Sequence, residues 1–415
     1  MSAQSRMKPV PRHLVLLLGA LTAFGAVSVD IYLPAFPQIT RDFGAHPGAV
    51  QLTLAVFLLS IAVGQAFYGP MSDRWGRRRP LLAGCALYTF GSLAGALAPS
   101  MEVLLAARVL QALGAAAGMV ISRAVVRDLF DERSSTHIFS NLMLIMGVAP
   151  IVAPWVGGQL LVLGSWRLIF FLMAAFGCFC FLASAWALPE SLPPSRRLQH
   201  GVFGVFRTYG TLVGNRNFLG YALVAGCTAG THFAYLAGVS FVYIELYGIS
   251  AQNFGLFFAV NALGLIGAAQ VNRLLLRRFT SRSILAFALA TNMTTGLALA
   301  VCGATRWGGF PMLVGLFFVS LSSVGMSFPN LMAAALAPFG RAAGSASSVL
   351  GTVQFAVGGL SGALVGLLHN GTAFPMTAML AACATGGFIA LRTMAQHGGI
   401  PQEAEQVFVL AVPED

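Results

Sequence analysis

Charge is scarce in this chain. Asp, Glu, Lys and Arg make up 9% of its 415 residues, against about 25% in ordinary soluble domains, and that scarcity excludes a soluble globular fold. Lysine is nearly missing: Lys8 is the only one among 24 basic residues, which we read as genomic bias without mechanistic weight. No pattern pairs the six cysteines; Cys85, Cys178, Cys180, Cys227, Cys302 and Cys383 all lie in apolar stretches. Cys178 and Cys180, two apart on a helix, point about 200° away from each other. Neither a disulfide framework nor a metal site is indicated. A Gly-xxxx-Gly-Lys-Ser/Thr loop is missing too, so ATP is not the driver. The lack of a nucleophile–base set, or of paired His and Asp at helical spacing, argues against an enzyme acting on lipid. The lack of a sizeable soluble output domain argues against a non-transporting sensor.

What is there in abundance is apolar: 57% hydrophobic residues and 47 glycines. At roughly 20 residues per span, the length allows about twelve membrane crossings with short loops. Apolar runs between charged or Pro/Gly breaks place them near 13–36, 48–70, 80–98, 102–126, 137–161, 166–188, 217–240, 253–275, 283–303, 309–333, 344–368 and 372–392. The first run is longer than a signal-peptide core and carries Asp30, so it is expected to be retained. The net charge of +11 could suggest nucleic acid, but the basic residues fall in the connections and act as orienting charges. With the N-terminus inside, 20 of them occupy inner loops and tails, three (Arg41, Arg167, Arg306) outer loops, and Arg108 a span. This split predicts cytoplasmic termini. The longest polar connection, 189–216, divides the chain into an N-terminal six-helix half (1–190), a cytoplasmic linker (191–216), a C-terminal six-helix half (217–392) and a cytoplasmic tail (393–415).

One polar interruption stands out: Gly69-Pro-Met-Ser-Asp73-Arg74-Trp-Gly76-Arg77-Arg78-Arg79-Pro80. Its arginines fit a tight loop at the cytoplasmic face, and any positive cluster would serve that end. The two glycines, which permit unusual φ or close approach, and the lone acid argue for more. The stretch resembles the signature loop between the second and third helices of major facilitator superfamily transporters. Asn272 to Arg282 echoes it weakly in the second half, without the glycines or the aspartate. Two similar halves with a site at their interface are how such transporters are built.

Other polar features lie within the spans. Arg108 sits about a turn and a half inside the fourth, at a cost of roughly 2.5–3.5 kcal/mol on insertion scales, so it should face a cavity or a partner. Gln111, three residues on, shares its face; a structural bridge between helices would also account for both. The stretch resembles the family's fourth-helix motif, with Ala112 where glycine is usual. Asp30, in Val-Ser-Val-Asp30-Ile-Tyr32-Leu-Pro34, lies toward the outer end of the first span. It reads either as a solvated helix-end carboxylate or as a proton carrier, because apolar residues continue beyond it. Gly147, Pro150, Pro154, Gly157 and Gly158 read as a kinked membrane helix open to close approach. They resemble the superfamily's fifth-helix antiporter motif, with Ala149 and Ala153 replacing glycines. His232, Tyr235, Asn261, Asn330 and Gln354 are weaker candidates for lining a cavity, since each alone is more often a helix–helix hydrogen bond.

The details Val29-Asp30-Ile-Tyr-Leu-Pro34, Tyr68-Gly-Pro-Met-Ser-Asp73 and Gly340-Arg341-Ala-Ala-Gly344-Ser-Ala-Ser-Ser resemble the bicyclomycin-resistance (Bcr/CflA) branch of drug/proton antiporters. The resemblance implies an all-α, twelve-helix fold in a bacterial inner membrane and export of bicyclomycin-, chloramphenicol- or sulfonamide-type antibiotics. It implies no cofactor beyond the proton gradient, no nucleic acid, and a monomer. It also implies an inner gate in which Asp73, Arg77 and Asp128 form a charge network near Arg74 and Arg127, with Asp73 near the start of the eleventh helix. Asp30 and Arg108, with Tyr32 and Gln111, would share the central cavity and act together. The alternative is export of an endogenous metabolite such as an amino acid, peptide or siderophore.

Overall fold

The computed structural model describes residues 12–130, 132–197 and 203–395. The expected tail beyond 395 and part of the expected linker, 198–202, lie outside the described residues. Among the described residues fifteen α-helices follow one another: α1 (Arg12–Thr22), α2 (Phe24–Asp30), α3 (Phe36–Phe43), α4 (Pro47–Trp75), α5 (Arg78–Ala96), α6 (Met101–Leu129), α7 (Glu132–Leu163) and α8 (Arg167–Ala187). After the polar connection come α9 (Phe203–Gly214), α10 (Arg216–Ser240), α11 (Ala251–Leu275), α12 (Ser281–Thr305), α13 (Gly309–Leu336), α14 (Ala343–Leu367) and α15 (Phe374–Thr393).

Ten helices among the described residues are long and apolar enough to cross a membrane, and the bent first pair makes an eleventh. The remaining expected span is α5, where Arg78, Arg79 and three glycines dilute the apolar content over 19 residues. The first span is not one straight helix, as the sequence suggested: it bends by 49° between its parts. At the break the Thr22 hydroxyl donates to the Leu18 carbonyl at 2.7 Å, the back-bonding that tends to bend helices. Pro34 then lies in a 3-10 turn, Leu33–Ala35, ahead of α3.

Packing falls into two bundles. In the first, α4 and α5 pack on α6, α8 lies on α5, and α1 and α2 lie on α6 and α7; in the second, α10 to α15 pack together. The bundles meet along two seams, α4 against α14 and α7 against α11. Most of the arginines collect at one end of the molecule, the basic end. At the opposite, far end the bundles touch closely: the Ser240 hydroxyl donates to the Leu33 carbonyl at 2.7 Å. There His46 and His369 meet edge to face at 5.1 Å, and Gly48 lies against the Gly366 carbonyl with no room for a Cβ. At the basic end a cleft of about 250 Å³ opens between α4, α6 and α14, lined by Gln65, Arg123, Arg127, Gly344 and Ser348. The molecule is shut at one end and partly open at the other.

Candidate functional site

The signature stretch is mostly helix, where the sequence suggested a loop over 69–80. Helix α4 runs on to Trp75 and α5 starts at Arg78, so only Gly76 and Arg77 turn the corner. Gly76 holds φ at 85°, and a Cβ there would also fall onto the Glu190 carboxylate; only glycine satisfies both. The turn aims Arg77 back under α4. Its Nε donates to Asp128 Oδ2 at 2.8 Å and its Nη1 to Ser72 Oγ at 2.8 Å, and it pairs with Asp73. Burial would lower the Arg77 pKa, but the Asp128 hydrogen bond and the Asp73 charge outweigh it and raise it. Arg77, Asp73 and Asp128 thus form the expected triad, while Arg74 stays exposed.

Sequence reasoning missed Glu190. Its Oε1 accepts from the Arg77 amide at 2.8 Å and the Leu192 amide at 3.0 Å, and its Oε2 from the Arg78 amide at 3.3 Å. An anion thus sits on the first turn of α5, where the orphan amides and helix dipole favour it. Burial would raise the Glu190 pKa, but these amides and the Arg197 charge overcome it and hold it below the ordinary glutamate value. Ser191 Oγ donates to Asp128 at 3.1 Å, so the start of the linker is bound to the triad. Pro189-Glu190-Ser191 read only as a polar break because the partners that fix it, Arg77, Arg78 and Asp128, lie 63 to 113 residues away.

Arg108 is fully buried. Its Nη1 donates to the Gln111 side chain at 2.5 Å and to the Ser28 carbonyl at 3.2 Å. The guanidinium lies 4.0 Å above Phe57 and 4.7 Å from the ring of Tyr32, and the Tyr32 hydroxyl is held at 2.9 Å from Thr53. Desolvated cation–π contacts of about 2 kcal/mol and charged hydrogen bonds of about 1.5–3 kcal/mol are enough to offset the insertion cost. Phe57 is buried as the floor of the guanidinium site. Among the described residues Arg108 Nε and Nη2 have no hydrogen-bond partner.

The expected pairing of Asp30 with Arg108 is not what the structure shows. Ser28 and Asp30, two apart on α2, point to opposite sides. Ser28 takes the Arg108 side, its Oγ 2.7 Å from the Tyr88 hydroxyl. Asp30 therefore faces the other way, into a cavity of about 90 Å³ between the bundles. That cavity is also lined by Gly147 and Pro150 of α7, His232 and Tyr235 of α10, and Asn261 of α11. Asn261 Nδ2 donates to the Tyr235 and Tyr243 hydroxyls, each at 2.9 Å. Asn261 Oδ1 and His232 Nδ1 are buried without a hydrogen-bond partner among the described residues. Among the described residues the Asp30 carboxyl has neither hydrogen bond nor ion pair.

Two weaker candidates lie elsewhere. Asn330 does not line this cavity: it bonds Asn272 Oδ1 at 2.6 Å, the Met326 carbonyl and Ser281, a helix–helix cluster within the second bundle. Gln354 on α14 is half-buried, its Nε2 without a hydrogen bond among the described residues, and is likewise not among the cavity's lining residues. On α7 the paired glycines divide their work: Gly157 lies against the Ile31 carbonyl of its own bundle, and Gly158 against the Ala251 carbonyl of the other. Gly69 looks across at Ser348 with space to spare.

The family model described as Major Facilitator Superfamily matches residues 16–363. An uncharacterized MFS-type transporter, YdgK, of Bacillus subtilis (strain 168) is 38% identical over 379 residues, 91% of this chain and 94% of that protein. A bicyclomycin resistance protein homolog of Haemophilus influenzae is 33% identical over 370 residues, 89% of this chain and 92% of that one. The crystal structure of a D-xylose-proton symporter aligns with a TM-score of 0.71 at 14% identity, over 92% of this chain and 97% of that one, a likeness of fold alone. The sequence motifs, the two packed bundles and these matches agree: the chain belongs to the major facilitator superfamily, in its Bcr/CflA branch.

Proposed function

We propose that the chain is a proton-coupled multidrug efflux antiporter of the bacterial inner membrane. It exports small amphipathic antibiotics of the bicyclomycin, chloramphenicol or sulfonamide type by alternating access, with the basic end and both termini in the cytoplasm. One observation carries the coupling: Asp30, an unpaired carboxyl 5% exposed, lies in a cavity between two bundles that are shut at the far end and cleft at the basic end. A carboxyl at that interface can take a proton from one side and release it to the other as access alternates. Arg108 keeps its proton at any accessible pH and serves as a fixed charge, its free Nε and Nη2 available to a polar group of the substrate. A proton entering gains roughly 2.3 kcal/mol per 100 mV and about 1.4 kcal/mol per pH unit, enough for at least a tenfold gradient of a neutral drug.

The test is substrate-induced proton release from purified protein. Asp30→Asn should bind drug and release no proton, and cells carrying it should lose export of a neutral drug. Proton release equal to the parent's would move the carrier elsewhere. A drug-susceptibility and metabolite-export profile with and without the gene separates drug export from export of an endogenous metabolite.

A further inference from the structure

The cleft at the basic end is polar where the Asp30 cavity is mostly apolar. Of the side chains that line its 250 Å³, only that of Val120 is apolar; the others are Gln65, Arg123, Arg127, Ser347 and Ser348. None is acidic. The carboxylates at the ends of α4 and α6, Asp73 and Asp128, are both engaged by Arg77. Arg123 and Arg127 are exposed, lie one turn apart on α6, and their charges act on each other; like charges at that spacing repel. Arg123 Nε donates to the Met119 carbonyl at 3.0 Å, and its Nη1 and Nη2 make no hydrogen bond among the described residues. Among them Arg127 makes neither hydrogen bond nor ion pair. Its Nη1 lies 3.6 Å from where a Cβ would stand on Gly344, so it reaches across the cleft to α14. Gln65 also lines the cleft. It is 5% exposed, its Oε1 lies against Gly351 of α14, and its amide has no hydrogen bond among the described residues, an exception for so buried a group. What this cleft lacks is negative charge.

We propose that the cleft is a binding site for one compact anion, a carboxylate, sulfonate or phosphate group, held between Arg123 and Arg127 of the first bundle and the Ser347–Ser348 turn of α14 on the second. Guanidiniums only donate, and their planar fork matches the oxygens of such groups. The volume equals about eight water molecules at roughly 30 Å³ each. That admits a charged head group and excludes a drug-sized body, which needs about 300–1,000 Å³. A bound anion replaces the repulsion between the arginines with charge-assisted contacts and ties α6 to α14 beside the α4–α14 seam, drawing the basic end together. The inference goes beyond the antiport reading of Asp30 and stands or falls apart from it. The same chemistry comes from two sources, a soluble anion or the phosphate of a phospholipid headgroup, and the experiment separates them.

The test uses the purified full chain in neutral detergent, with the ionic strength held constant by chloride. Equilibrium dialysis against radiolabelled inorganic phosphate should find one phosphate bound per parent chain. Arg123→Gln and Arg127→Gln should each weaken it about tenfold, the worth of one charged hydrogen bond. Arg278→Gln, which removes an exposed arginine outside the cleft, should leave it unchanged. Gly344→Asp sets a carboxylate beside Arg127 Nη1, where a Cβ has room. It should expel phosphate and raise the melting temperature of the anion-free protein, and it keeps the test decisive if an arginine variant folds poorly. A second arm adds phosphatidylglycerol, with phosphatidylcholine as control, and counts bound lipid by native mass spectrometry. Phosphate bound by the parent and lost in both cleft-arginine variants identifies a soluble anion; phosphatidylglycerol retained by the parent and lost in them identifies a headgroup. The proposal is overturned if neither binds the parent, if the cleft variants, Gly344→Asp included, bind as the parent does, or if Arg278→Gln weakens binding as much as they do.

Discussion

At the scale of single residues, the intramembrane charges were legible because charge is so rare there, and their partners were not. Arg108 and Asp30 stand out from any apolar background. That they face apart follows from the two-residue step between Ser28 and Asp30, but which side meets Arg108 depends on where α6 packs, and no local spacing encodes that. Among the described residues the guanidinium that results has no carboxylate partner and two nitrogens without a hydrogen bond, an arrangement suited to binding more than to stability. Replacing a buried ion pair by well-packed apolar residues of similar volume is often neutral or stabilising by about 1–4 kcal/mol, and removing Arg108 takes a partner from no buried carboxylate among the described residues. Arg108→Met should therefore leave the melting temperature in detergent unchanged or higher while reducing drug export to background, and Arg108→Lys should recover only part because the fork is lost. A marked fall in melting temperature for Arg108→Met would make the residue a structural bridge between helices.

At the scale of elements, the turn between α4 and α5 is where sequence and structure agree most closely and where the largest omission lies. The glycine, the aspartate and the arginines were readable because their partners are neighbours in sequence or ends of the next helix; Glu190 was not, because its carboxylate acts on backbone amides, which leave no signature. The Glu190 clamp also has a defined pH behaviour. Its folded pKa lies below the ordinary 4.5, so the stabilisation is complete above that value and is lost as the pH falls through the lowered one. At neutral pH the same release should follow from Gly76→Ala, which forces a side chain into positive φ at about 1–2 kcal/mol and onto the carboxylate. Tryptic cleavage at Arg196 and Arg197 should then quicken about tenfold, as it should in Glu190→Gln. Unchanged cleavage in both variants would mean that the linker is held by other contacts.

At the scale of the whole molecule, two bundles meeting along α4–α14 and α7–α11 place opposite demands on adjacent residues. The helical period of the fifth span announced close approach at Gly157 and Gly158; it could not say that one glycine faces its own bundle and the other its neighbour. The structure separates them, so their substitutions should part company. Gly157→Val drives a side chain into the Ile31 carbonyl inside one bundle, and should lower the melting temperature without favouring either access state. Gly158→Val drives one into the Ala251 carbonyl across the seam, and should destabilise only the state in which the far end is shut. A penalty of about 1.4 kcal/mol shifts that equilibrium tenfold. Ser240, buried at the same far end against Leu33, can report the shift as Ser240→Cys, labelled by a membrane-impermeant maleimide added to intact cells. Labelling should be slow in the parent background, about tenfold faster with Gly158→Val, and unchanged with Gly157→Val. The same experiment tests the orientation read from the arginine split, because the reagent reaches Ser240→Cys from outside only if the far end faces the periplasm. Labelling that appears only after the inner membrane is opened would invert the topology, and equal rates in all three backgrounds would show that the α7–α11 seam does not gate the far end.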